Sequence, residues 1–325
     1  RLLRTRLEIS PESGQTVCVE GAQNLSSVTP TEYWYNPDQD ADASGEAIKV
    51  VKHAQYRANL SDASWTNPYD DARAHRGVLR GNDIYLAYDH TPNWAASRNA
   101  HDKYDLYIRR SFDGGATWTA DPAGAGEVCH TQIWKDYTDV ISEDDAERKD
   151  TYEETTCYAP GQYEPGRNMS LLKNNKLTVI EPRLVAPPST TAGSPYPEDV
   201  YNGNVFYVAF GTATNVAMAH GDDDEEAAAV PADLYYTFTR DRGQTYYKRL
   251  WDVNPDSDGT YAGEIVERWD YLARGDDAQG EAQIRMSPDG SKFYAVWNQE
   301  GPEGSDTWTR RIMPSAFPIN LAPVP

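Results

Sequence analysis

Phenylalanine is scarce in this 325-residue chain: six Phe stand against 22 Tyr and 9 Trp. Its large rings therefore mostly carry polar tips, which suits half-buried strands and wet clefts. Periodic runs of helix formers are scarce too, while 23 Gly and 21 Pro punctuate the sequence. That combination predicts a mostly β chain with many turns. No apolar run reaches the ~18 residues a membrane-spanning helix requires, so no such span is expected. Bases are outnumbered, 30 against 51 acids, for a formal charge of −21. A polyanion of this kind repels nucleic acid and anionic membrane, which excludes both as expected partners.

Cysteine is nearly absent as well, with three in all. Cys129 and Cys157 bracket an acidic, polar insertion, and a disulfide between them would staple a loop with little core of its own. That pairing implies an oxidising compartment and leaves Cys18 odd: buried and free, or paired outside the chain. The run "VCH" lacks the second Cys of a haem c attachment site, and no nucleotide-cofactor motif is present. The first residue is Arg1 and no signal peptide is visible, so a processed form or a fragment of a longer polypeptide is expected. The Pro-rich tail 314–325 reads as a linker, leaving 1–313 as the folded domain.

What the chain does contain is repetition. "GNDIYLAY" (81–88), "GNVFYVAF" (203–210) and "GSKFYAVW" (290–297) superpose without a gap. Each opens on a turn residue and continues with apolar residues on both faces, as a strand buried between layers would. A second strand follows each, beginning at Asp105, Asp233 and Asp306. In the first two a Ser or Thr comes six residues later and an Asp eight later; the third has Ile312 and Pro314 there. "NPDQDADASGEAI" (36–48) and "NPDSDGTYAGEIV" (254–266) precede the first and third pairs, and "RLEISPESGQTVCVEG" (6–21) reads as a worn copy of 282–297. Long loops are expected at 89–104, 119–166 and 211–232. Radial repetition of four-stranded units of this kind builds a propeller with few exposed edges.

Ser111-Phe-Asp113-Gly-Gly115-Ala-Thr117-Trp118 resembles the Asp-box, the repeat of bacterial neuraminidases and other sialidase-like propellers. Thr239-Arg-Asp241-Arg-Gly243-Gln-Thr245-Tyr246 is similar, with Thr for Ser and Tyr for Trp. The physical reading of both is a tight corner: the Asp accepts unpaired amides, Gly115 and Gly243 supply positive φ, and Trp118 or Tyr246 lids the turn. Asp113 and Asp241 are expected to be structural, not catalytic. The resemblance implies an all-β, sialidase-like propeller with its site at the central depression. There the family uses three Arg to hold a substrate carboxylate, a Tyr–Glu nucleophile pair and an Asp acid.

The family's early Arg-Ile-Pro motif is missing, since "RRIMP" (310–314) comes late with an inserted Met. Generic candidates for glycoside chemistry are Glu164 and Arg167 in "EPGRN" and Glu181 and Arg183 in "IEPRL", near strands that could reach the axis. Surface ion pairs explain the same residues. Trp94, His90, Arg98 and His101 lie with Asp102 in a long loop, where ligand-binding groups gather; His90 and His101 equally read as ordinary loop histidines. His53, His75 and His220 have no ligand spacing. Asp38, Asp40, Asp42 and Glu46 alternate as a calcium loop would, and equally as a polar turn. Asp256, Asp258 and Glu264 repeat the idea, and there the polar turn is the simpler account. Sequons stand at Asn24, Asn59 and Asn168.

These readings combine into a secreted, periplasmic or cell-surface propeller, steadied by calcium, that binds glycan or another extracellular ligand without catalysis. A sialidase-type glycoside hydrolase and a structural part of a surface assembly are the alternatives.

Overall fold

Runs of Tyr, Ile, Leu and Val between Gly, Asn and Asp corners have the composition of pleated strands. In the computed structural model they pair as antiparallel sheets throughout. The structure describes residues 3–4, 7–9, 16–18, 23–26, 28–35, 49–56, 71–91, 104–135, 151–172, 177–187, 204–214, 232–248, 270–287, 292–312 and 322–324. Among these there is no helix, and the chain is all-β. No helix is long and apolar enough to cross a membrane among the described residues.

Six N-terminal strands are β1 (Leu3–Arg4), β2 (Leu7–Ile9), β3 (Thr16–Cys18), β4 (Gln23–Asn24), β5 (Val28–Tyr35) and β6 (Lys49–Tyr56). They pair as β1 with β4, β2 with β3, and β5 with β6. Next come β7 (Asp71–Arg80), β8 (Asp83–Thr91) and β9 (Asp105–Ser111), which form a meander. A separate hairpin follows, β10 (Val128–Lys135) with β11 (Thr151–Tyr158). Then β12 (Arg167–Asn168) returns to β9, completing a sheet ordered β12-β9-β8-β7.

The second sheet runs β13 (Leu177–Val185), β14 (Phe206–Thr214), β15 (Leu234–Thr239) and β16 (Tyr246–Lys248), with β17 (Asp270–Ala273) also on β15. The third sheet is β18 (Ala278–Met286), β19 (Phe293–Gly301) and β20 (Gly304–Ile312); β21 (Ala322–Val324) ends on β16.

The three larger sheets stack face to face in chain order. Tyr85, Ala87, Leu106 and Ile108 of the first share a core with Phe206, Val208, Phe210 and Tyr235 of the second. The opposite side of the second sheet, Tyr207, Ala209, Tyr236 and Phe238, packs on Ile284, Phe293, Ala295 and Trp297 of the third. Ring pairs tie the layers: Tyr85 lies tilted 4.4 Å from Phe206, and Tyr207 is stacked 4.8 Å from Phe293, centroid to centroid. Every described side chain of β15 is buried, as an apolar run with no polar alternation predicts.

Two sequence expectations change here. The third repeat is not buried on both faces: Phe293 and Ala295 are fully buried, while Tyr294 and Val296 between them are 39% and 43% exposed. Among the described residues, strand β19 has a layer on one side only. The expected loop 119–166 also contains the β10–β11 hairpin, in which Cys129 lies directly opposite Cys157 and is disulfide-bonded to it. The bridge thus joins two paired strands instead of closing a bare loop.

Each stacked sheet begins on an edge strand, β7, β13 or β18; β13 packs against both of the others, and these three adjoining strands are here called the inner strands. Each inner strand carries one bulge at the same level: between Arg73 and Arg76, between Ile180 and Arg183, and between Gly280 and Gln283. The second residue of each bulge has positive φ without being Gly: Ala74 (52°), Glu181 (53°) and Glu281 (56°). Such a conformation costs roughly 1–2 kcal/mol per L-residue. Its recurrence in three strands marks a local design that re-aims the flanking side chains.

Candidate functional site

The bulges bring charged groups of separate strands together. Arg73 and Arg76 flank the bulge of β7, and Arg183 ends that of β13. All three guanidinium groups act electrostatically on Asp89, near the end of β8, which lies opposite Arg73 in the register. Arg183 also feels Arg76, Glu181 and Glu281, so the site spans all three inner strands. Its Nε donates to the Ala282 carbonyl of β18 (2.8 Å), its Nη1 to the Pro182 carbonyl (3.1 Å), and its Nη2 lies 3.7 Å from the Glu181 carboxylate. Arg73 lies 3.6 Å above the Tyr104 ring, and the Tyr104 hydroxyl donates to Asp71 (2.5 Å).

Asp89 is the unusual member. It is 1% exposed, and neither carboxyl oxygen has a hydrogen-bond partner among the described residues. Burial pushes its carboxyl up to about 8; Arg73, Arg76 and Arg183 oppose that rise and Asp105 adds to it. Burial thus favours the protonated form of this carboxyl near neutral pH. Next to it, His90 is also buried, held down to about 3 by loss of hydration, and packs edge-on against Tyr88 and Tyr107. The expected loop histidine is a core residue of β8.

A second buried cluster lies away from the inner strands. Glu164 accepts two hydrogen bonds from Arg110 Nη2 (2.8 and 3.0 Å) and one from its Nε (3.1 Å), and lies 2.7 Å from His130 Nε2. Burial alone would raise the Glu164 carboxyl, but Arg110 and His130 outweigh it and hold it at about 2. Burial lowers His130 to about 4. Arg110 Nη1 reaches the Arg242 carbonyl (2.9 Å), and Arg167 Nη1 reaches the Gln244 carbonyl (3.1 Å). Arg242 in turn bridges Asp83 (2.8 Å) and Asp121 (3.2 Å).

Arg167 is on β12, at the edge of its sheet farthest from inner β7, and Glu164 is bonded in the interior. Neither reaches the inner strands, and neither is a surface ion pair. Glu181 and Arg183 do sit on an inner strand, at its bulge.

The two acidic corners are built alike. Ser111 Oγ accepts from Gly115 N (2.8 Å) and donates to Asp113 (2.9 Å), while Asp113 accepts from Thr117 N (2.9 Å) and Thr117 Oγ1 (2.6 Å). Thr239, Gly243, Asp241 and Thr245 repeat each bond at 2.9, 2.7, 2.9 and 2.5 Å. Gly115 and Gly243 have φ of 83° and 82°. Trp118 and Tyr246 are buried beside the turns they close.

Trp94, Arg98, His101 and Asp102 lie outside the described residues, as do Asp38, Asp40, Asp42, Glu46, Asp256, Asp258, Glu264, Asn59 and His220. Cys18 is in β3, Asn24 in β4, His53 in β6 and His75 in β7. Asn168 is buried, and its Oδ1 accepts from Leu171 N (3.0 Å), a poor acceptor site for a glycan. Among the described residues no group of three or more His, Cys, Asp or Glu could hold a metal ion.

Arg73, Arg76 and Asp89 were missed from the sequence. The available signals were an Asp ending the otherwise apolar run "IYLAYD" and an Arg four places into both "RAHR" and "IEPR". No family model, no curated protein and no solved structure matches the chain.

Proposed function

We propose that this chain is an exported, sialidase-like β-propeller that binds a carboxylate-bearing glycan, without cutting it, at the arginines of its inner strands. The observation that carries the reading is the convergence of Arg73, Arg76 and Arg183 on one buried, unpartnered acid, Asp89. Guanidinium groups on adjacent strands fit a carboxylate, and a protonated Asp adds a donor where an ionised one would repel the ligand. Three sheets stacked in chain order around adjoining inner strands support the radial arrangement, and the two matching Asp-centred corners support the family resemblance. The disulfide supports export.

Titration with sialosides and uronic-acid oligosaccharides, with neutral oligosaccharides as controls, tests this. Arg73→Gln combined with Arg183→Gln should weaken binding of the acidic sugars about tenfold or more. Unchanged affinity would refute the site.

A glycoside hydrolase is the second reading, favoured specifically by the proton on Asp89, which a general acid requires near neutral pH. Release of sugar from the same panel above a heat-inactivated control, lost in Asp89→Asn, would replace the binding reading with this one.

A further inference from the structure

The outward face of the third sheet carries a different surface. Register places Arg285, Tyr294 and Arg311 side by side across β18, β19 and β20, and Gln283, Val296 and Thr309 form the next row. Residues opposed across an antiparallel pair share a face. Arg285, Tyr294, Arg311, Gln283, Val296 and Thr309 are all exposed, as is Lys292 at the start of β19. Adjacent strands lie ~4.8 Å apart, so the two guanidinium stems stand roughly 10 Å from each other with the phenol ring between them. Arg285 Nη1 donates to the Ile284 carbonyl (2.7 Å); no carboxylate pairs with Arg285 or Arg311 among the described residues. Among the described residues, the acids of this face lie farther along the strands: Glu281 is in the bulge, four residues from Arg285, and Glu300 is six from Tyr294, ~13 and ~20 Å away.

We propose that this row is a binding platform for an acidic polysaccharide, separate from the inner-strand site. Charge selects the partner: on a chain of net −21, a row of unpaired cations is a local exception that an anionic chain neutralises. The ring offers an apolar face for a sugar, and the arginines on either side take carboxylates or sulfates of successive units. A protein partner fits less well, because a stable protein interface needs roughly 800 Å² per side around an apolar centre. Tyr294 and Val296 are the only large apolar groups in these rows. The distant acids repel a polyanion weakly once salt shortens the Debye length to ~8–10 Å, while contacts within the row persist.

Affinity electrophoresis of the full chain through polygalacturonate, dextran sulfate and neutral dextran, at about 0.1 M salt, provides the test. Retardation by at least one acidic gel and not by dextran is expected. Arg285→Gln with Arg311→Gln should weaken it about tenfold, and Tyr294→Ala severalfold; in dextran sulfate, which carries no carboxylate for the inner-strand site, Arg73→Gln with Arg183→Gln leaves it unchanged. The Arg285/Arg311 and Tyr294 variants should keep the wild-type thermal unfolding midpoint within a few degrees, since their altered side chains are exposed. No retardation by either acidic gel, or equal retardation of the Arg285/Arg311 variant, overturns the proposal. Concentration-dependent dimerisation abolished by the Arg285/Arg311 variant, in place of retardation, overturns it in favour of a protein interface. Loss of retardation in the Arg73/Arg183 variant alone assigns the polyanion to the inner strands and also overturns it.

Discussion

Asp89 and His130 show how burial turns single residues into pH sensors. Below about pH 4 an aspartic acid is protonated in both folded and unfolded chains. Between there and about 8 the unfolded chain releases the proton and the folded chain keeps it, so Asp89 costs stability as pH rises through that window. Asp89→Asn should remove the dependence, gaining ~5 kcal/mol over wild type at pH 9 relative to pH 4. Urea unfolding at both pH values reads this, and an equal difference at the two would refute it. His130 has the opposite sign: folding lowers it to about 4, so the stability of its neutral form is lost as pH falls from about 6.5 through 4. Glu164 couples to it, and truncating that partner leaves Arg110 charged and enclosed. Glu164→Gln should cost ~3–5 kcal/mol in urea unfolding. Arg110→Met with Glu164→Met should recover much of that loss, because no charge is then left behind.

At the scale of strands and turns, alternation decides what a substitution costs. On β18 and β19 the inward residues Ile284, Phe293 and Ala295 are enclosed, while Tyr294 and Val296 face outward. Ile284→Ala should therefore cost ~2–5 kcal/mol and Val296→Ala ~0.5 kcal/mol or less, by chemical denaturation. Equal costs would mean that a further layer covers the outer face. The corners follow local chemistry. Ser or Thr, then Asp, Gly and Thr at fixed spacing, make the same bonds in both turns because each partner is within six residues. The hairpin of β10 and β11 hangs on longer-range bonds: its disulfide, and His130 against Glu164. Replacing both Cys129 and Cys157 by Ser should lower stability by ~2–4 kcal/mol, again by denaturation.

Across the whole molecule, 51 acids against 30 bases repel one another, and this self-repulsion is the main electrostatic burden on the folded state. Raising the salt from about 0.01 M to about 0.15 M shortens the Debye length from ~30 to ~8 Å. The unfolding midpoint should rise by a few degrees. A fall would mean that exposed ion pairs outweigh the net charge. The all-β class, the strands β8, β14 and β19, both acidic corners and the cysteine pair were legible in the sequence. The class follows from composition, the strands from repeated apolar runs, the corners from residues close along the chain, and the cysteine pair from there being only three cysteines. The inner-strand site was not legible, because Arg73, Arg76, Asp89 and Arg183 meet only when three sheets stack and their first strands bulge at one level. Bulge position carries no spacing rule, and neither does the removal of water that lifts Asp89 to about 8. The surroundings of Glu164 and Arg167 were not legible for the same reason: local sequence makes them polar, and only the packing of β12 at the far sheet edge decides which groups they face.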